Sequence, residues 1–210
     1  LSVPEMRRVR GRQIAMIFQE PMSALNPVQR VGSQVVEAIQ LHERISLSAP
    51  RARVEDLFER VGIPDPRARF DCYPHQLSGG IKQRVMIAMA VSMRPHVLIA
   101  DEPTTALDVT VQAQILELLR ELQRDLGTAI LLITHDLGVV NELADRMLVM
   151  YAGKIVERGT RLTVLRDPAH PYTRGLMRST VHAGQRGVEL QPIAGSPPDL
   201  AALPSGCSFR

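Results

Sequence analysis

The chain has 210 residues, 45% of them hydrophobic, and a formal net charge of +3. That length suits one large α/β domain with a substantial core, and so mild a charge demands no polyanionic partner. Three Tyr, four Phe and no Trp leave few platforms for base stacking, which argues against a nucleic-acid binder of the stacking type.

No apolar run approaches the ~18 residues needed to cross a bilayer, and the segment 129–133 is only strand-sized. The opening residues do not read as a signal peptide. Cys72 and Cys207 are too few for a disulfide framework, so a reducing cytoplasm is expected. A start at Leu1 and a stop at Arg210, just after Gly206-Cys207-Ser208-Phe209, read as an incomplete chain.

In chain order, Arg7, Arg8, Arg10 and Arg12 form a basic run, read as a solvated turn rather than a nucleic-acid contact. Residues 13–18 read as a strand that ends in Gln19-Glu20-Pro21. Helical apolar spacing covers 31–44 and 52–61, with Gly62 closing the second helix. Pro64 and Pro66 mark a loop. His75 has no partner at ligand spacing and is read as structural.

The most informative stretch is 77–108. Ser78 is a good N-cap, and Gly79 and Gly80 let backbone N–H groups approach a ligand where a helix begins. Such a start is an anion site, because the unpaired donors and the positive dipole end point the same way. The helix carries Ile81, Val85, Ala88 and Met89 on one face until Pro95 stops it. Residues 97–100 are a buried parallel strand that ends in Asp101-Glu102, where side chains face the ligand crevice of an open α/β fold. Asp101 is placed to hold magnesium, and Glu102 to orient or deprotonate a water. An acidic pair alone is equally a turn and a helix cap; the Ser-Gly-Gly start upstream and a histidine downstream favour function.

After Ala106-Leu107-Asp108, the residues Val111, Ile115, Leu118, Leu119, Leu122 and Leu126 follow helical spacing up to Gly127. Residues 128–134 form a second buried strand ending in His135-Asp136, which brings His135 to the sheet edge of Glu102. A short helix closes over 141–145, and strands 146–151 and 154–158 flank a turn at Ala152-Gly153. From Thr160 prolines break the chain into an accessory tail.

Leu77-Ser78-Gly79-Gly80 with Lys82-Gln83-Arg84 resembles the signature motif of ATP-binding cassette (ABC) proteins. Leu98-Ile99-Ala100-Asp101-Glu102-Pro103 resembles their Walker B strand and Ala106-Leu107-Asp108 their D-loop, in the family's order and spacing. The tail segments Asp167-Pro168-Ala169-His170-Pro171-Tyr172-Thr173, Gly195-Ser196-Pro197-Pro198-Asp199-Leu200 and Pro204-Ser205-Gly206-Cys207-Ser208-Phe209 resemble those of dipeptide, oligopeptide and nickel importers, as does Met22-Ser23-Ala24-Leu25-Asn26-Pro27.

The resemblance implies a P-loop NTPase-like α/β nucleotide-binding domain with an incomplete, mostly parallel sheet, a helical subdomain and a C-terminal extension. Its expected divisions are 1–27 and 95–160 for the ATPase core, 28–94 for the helical subdomain and 161–210 for the extension. It implies Glu102, His135 and Gln19 as catalytic residues and Asp101 and Gln19 as magnesium ligands. Ser78, Gly79, Gly80, Gln83 and Asp108 are implied as nucleotide contacts, the glycines acting on a partner's ATP.

The implied partners are a second ATPase subunit, identical or different, two transmembrane permease subunits and, indirectly, an extracytoplasmic binding protein, with no nucleic acid. The implied place is the cytoplasmic face of the inner membrane, as a peripheral protein. The competing class is a soluble cassette ATPase acting on nucleic acid or ribosomes, which usually carries coiled-coil or zinc insertions; a non-catalytic fragment is the third. Some importers of this group bind a four-iron–four-sulfur cluster at cysteines in the tail. Cys207 alone cannot hold one, so none is expected here. The phosphate loop G-x-x-x-x-G-K-S/T is absent: at the Gly153-Lys154 pair, Leu148 stands where the first glycine belongs and Ile155 follows. The chain as given is therefore expected to bind ATP poorly and not to turn it over.

Overall fold

The computed structural model describes residues 1–43, 50–105, 107–179, 192–193 and 195–209. Arg44, at the end of the expected helix 31–44, and Ala106 lie outside the described residues. The chain divides into two compact units, Leu1–His135 and Asp136–Arg210.

The first unit runs α1 (Val3–Val9), β1 (Ile14–Ile17), α2 (Pro21–Ala24), α3 (Val31–Gln40), α4 (Pro50–Arg60), α5 (Pro66–Phe70), α6 (Gly79–Val91), β2 (Val97–Asp101), α7 (Val109–Leu126) and β3 (Ala129–Ile133). Its sheet is parallel throughout, with β2 between β1 and β3. The register pairs Ile17 with Ala100 and Asp101 with Ile133. The segments that follow the three strands therefore leave the sheet at one edge. Leu98 and Ala100 of β2 are buried in the same cluster as Ile17, Ile87, Ile115 and Leu119, so the central strand belongs to the core.

Helix α6 starts where Ser78 caps it, its Oγ accepting from the Ile81 N–H at 3.4 Å. Its apolar surface is wider than the one face read from spacing: Val85, Met86, Ile87, Ala88, Ala90 and Val91 are all buried. The reason is tertiary, because α6 packs against β1 and against α2, α3 and α4 together. Asp108 caps α7 by accepting from the Val111 N–H at 2.9 Å, and Gly127 closes that helix in the left-handed region (φ +64°).

Three local expectations need correction. Strand β3, expected to be buried, has Ala129, Leu131 and Ile133 exposed and Ile130 and Leu132 only half-buried, because it is the last strand of the sheet with β2 on one side. Arg7 and Arg8 lie in the last turn of a helix, not in a turn; α1 is solvated, as read, but Glu5 accepts from the Ser2 N–H at 2.7 Å and anchors its first turn. The Pro64–Pro66 loop is cut short, since Pro66 opens α5 at a position where its missing N–H is no loss.

An ion network ties α3, α4 and α5. Arg51 donates to Glu55 and Asp71, each at 2.8 Å, and lies 4.3 Å over the Phe70 ring, while Arg30 reaches Asp71 at 2.8 Å. The hydrogen bond from Arg51, more than the one from Arg30, holds the Asp71 carboxyl below the usual range. A carboxyl depressed in the folded state adds stability above its unfolded pKa and loses it as pH falls through the folded one. Urea midpoints should therefore fall on acidification through and below the ordinary aspartate range, and Asp71→Asn should flatten that slope modestly, because the pair is solvent-screened.

The second unit runs α8 (Leu137–Leu143), β4 (Arg146–Tyr151), β5 (Lys154–Thr160), α9 (Arg161–Arg166) and α10 (Pro171–Arg178). Strands β4 and β5 form an antiparallel ribbon. Its turn needs positive φ at both Ala152 (+48°) and Gly153 (+75°), the geometry of a two-residue hairpin loop. Alanine is disfavoured there, so Ala152→Asn should raise stability by ~0.5–1 kcal/mol in thermal unfolding.

Among its described residues the tail makes more contacts than its prolines imply. Glu157 accepts from the Ala169 and His170 N–H groups at 2.7 and 3.2 Å, and His170 Nδ1 accepts from the Tyr172 N–H at the start of α10. Phe209 packs edge-on against Tyr151 and Tyr172, and Cys207 Sγ is 3.5 Å from His170 Nε2. Two tail segments read separately in the sequence thus pack on each other.

Candidate functional site

Glu102 sits in the turn just beyond β2. Its backbone has φ +43°, which costs a non-glycine residue ~1–2 kcal/mol and persists only where the surroundings over-determine it. They do: the Glu102 N–H donates to the Ile133 carbonyl at 2.9 Å, and the Thr105 N–H donates back to the Glu102 carbonyl at 3.1 Å.

Parallel register brings two further side chains to the carboxylate. Gln19 follows β1 by two residues, as Glu102 follows Ala100, and its Nε2 donates to Glu102 Oε2 at 2.9 Å. His135 follows β3 by two residues, and its Nδ1 lies 2.8 Å from Glu102 Oε1. The three residues expected to converge do meet. A fourth joins them that sequence reading missed: Thr105 Oγ1 donates to Glu102 Oε2 at 2.8 Å. The available signal was a hydroxyl three residues past the glutamate in a tight turn.

Hydrogen bonds from His135 first, then Thr105, hold the Glu102 carboxyl below the usual carboxylate range, outweighing the opposing effect of burial; the charge on His135 and the Gln19 amide add to it. At neutral pH Glu102 is therefore ionised, the form that can accept a proton from water. The Glu102 side chain is 22% exposed and that of His135 77% exposed, so the carboxylate is screened while the imidazole faces solvent.

Gln19 has its amide nitrogen committed to Glu102, which leaves its carbonyl oxygen. Asp101, at the carboxyl end of β2, is half-buried. A carboxylate and an amide oxygen suit a hard cation such as magnesium, which takes few protein ligands and completes its shell with water and phosphate. Among the described residues no group of three or more His, Cys, Asp or Glu gathers to hold a metal on its own.

The start of α6 is open: Ser78 and Gly79 are exposed and Gly80 is half-buried. A Cβ added at Gly80 would lie 2.8 Å from Val111 Cγ1, so this glycine is required by the close approach of α7. Gln83 departs from the expected nucleotide contact. It is 2% exposed, and its Nε2 donates to the Pro103 carbonyl at 2.6 Å, away from the solvent that Ser78 and Gly79 face. Asp108 is exposed, with its carboxylate occupied as the cap of α7.

Residues 2–105 match the family model described as ABC transporter, and residues 156–210 match the one described as oligopeptide/dipeptide transporter, C-terminal region. The dipeptide transport ATP-binding protein DppD of Bacillus subtilis is 56% identical over 209 residues, a match that covers 100% of this chain and 62% of that protein. The oligopeptide transport ATP-binding protein OppD of the same organism is 54% identical over 210 residues, covering 100% of this chain and 59% of its own. Residues 2–105 are those of the ATP-binding cassette family.

This cassette spans about three-fifths of the length of those relatives. Its fold is similar to the dimeric cassette MJ0796 solved in a post-hydrolysis state with ADP and Pi, at a TM-score of 0.67 and 27% identity, covering 77% of this chain and 68% of that one. The α/β class with a parallel sheet is thus that of an ABC ATPase domain. Among the described residues no helix of the cassette is long and apolar enough to cross a membrane.

Proposed function

We propose that the chain belongs to the ATP-hydrolysing subunit of an ABC importer for dipeptides or oligopeptides, bound peripherally at the cytoplasmic face of the membrane. The observation that carries this reading is the clamp of Gln19, Thr105 and His135 on Glu102. Three donors fix an ionised carboxylate at a sheet edge, the placement a water-activating group needs.

In this reading Glu102 accepts a proton from the attacking water. His135, with one ring nitrogen on Glu102, steadies the γ-phosphate and keeps the carboxylate in place. Asp101 and the Gln19 carbonyl oxygen hold the magnesium ion. When bound, that ion neutralises charge developing on the phosphates. Ser78, Gly79 and Gly80 present the N-terminus of α6 to the γ-phosphate of an ATP held by a second cassette, and Asp108 lies along that interface. Gln83 serves the turn rather than the nucleotide. Peptides as cargo are supported by the match over residues 156–210 and by the printed names of the relatives.

The test is purification from membranes together with a permease pair, followed by ATP hydrolysis with and without peptide-loaded binding protein. Stimulation by peptide supports the reading. Association with ribosomes or DNA, without a permease, would favour a soluble cassette ATPase.

A further inference from the structure

The turn that presents Glu102 is held from two directions. On one side the Glu102 N–H is tied to the Ile133 carbonyl at the end of β3. On the other the Pro103 carbonyl accepts the buried 2.6 Å hydrogen bond from Gln83 Nε2. Proline has no N–H, so this carbonyl is the only backbone polar group the turn offers at that residue. Between the two ties lies Glu102 with its positive φ.

We infer that Gln83 is a positioning residue for Glu102, holding the 102–105 turn so that the carboxylate meets Gln19, Thr105 and His135. The inference rests on the reading of Glu102 as the water-activating group. Gln83 stands on the same helix as the exposed Ser78-Gly79 start. Removing the donor strands a buried carbonyl, which the turn relieves only by moving toward water.

The test is amide hydrogen exchange followed by NMR on the 210-residue chain, wild type against Gln83→Met, which keeps the side-chain length and removes the donor. The Glu102 and Thr105 amides should exchange about tenfold faster. The Ala129 amide, bonded to the His96 carbonyl at the far end of β3, should keep its rate. The His135 ring-nitrogen signals should move toward those of a free histidine.

Equal acceleration at every amide, or none at Glu102, overturns the inference and leaves Gln83 as packing. Should Gln83→Met fail to fold, the wild type decides. A through-hydrogen-bond coupling between the Gln83 side-chain nitrogen and the Pro103 carbonyl carbon is then expected, and its absence overturns the inference. Undiminished hydrolysis in Glu102→Gln would overturn the role of Glu102 instead, and the exchange rates alone would then decide on Gln83.

Discussion

Replacing Glu102 by Gln is expected to lower ATP hydrolysis by ~10²–10⁴ while nucleotide binding survives. The measurement is single-turnover hydrolysis in a transporter assembled with a subunit that includes the phosphate loop lacking from these 210 residues, beside nucleotide affinity in the same preparation. The substitution is informative because it disturbs the clamp so little. The amide oxygen still accepts from Gln19 and Thr105, which both bond Oε2. The amide nitrogen faces His135 Nδ1, which then accepts instead of donating. Geometry is kept and basicity is lost. Hydrolysis at the wild-type rate would remove Glu102 from the chemistry.

The largest expected effect on stability lies away from this site. Phe58 on α4 is 0% exposed, in a core that includes Val54, Val61, Val35, Ile39 and Ile87. Phe58→Ala removes a ring that several helices share, so both transfer free energy and a cavity weigh against the fold. A loss of ~3–5 kcal/mol is expected from urea unfolding. A loss below ~1 kcal/mol would mean that the helices close over the gap.

The sheet and its edge were legible because short apolar runs ended abruptly in polar residues. Gln19, Glu102 and His135 each lie just past such a run, and parallel pairing puts Gln19 level with Glu102 and His135 one residue further along, close enough for all three to meet. What was not legible depends on contacts between distant segments. The Gln83–Pro103 hydrogen bond joins residues twenty apart, and nothing in a helical repeat says that this side chain points inward. The wide burial of α6 arises from α2, α3 and α4 together, of which the sequence reading gave only the helical patterns 31–44 and 52–61, separately, and no helix at 21–24. Helix α1 has seven residues, none buried, and so offered no periodicity to read. The positive φ of Glu102 had no signature either, since glutamate rarely adopts it.

The approach of Gly80 to Val111 gives the signature helix and the helix behind Asp108 a shared constraint. A methyl group at position 80 fits only if the Val111 side chain shifts or shrinks. Genetic suppressors of Gly80→Ala should therefore arise at Val111 as smaller residues, and the two motifs would tolerate change jointly where each refuses it alone.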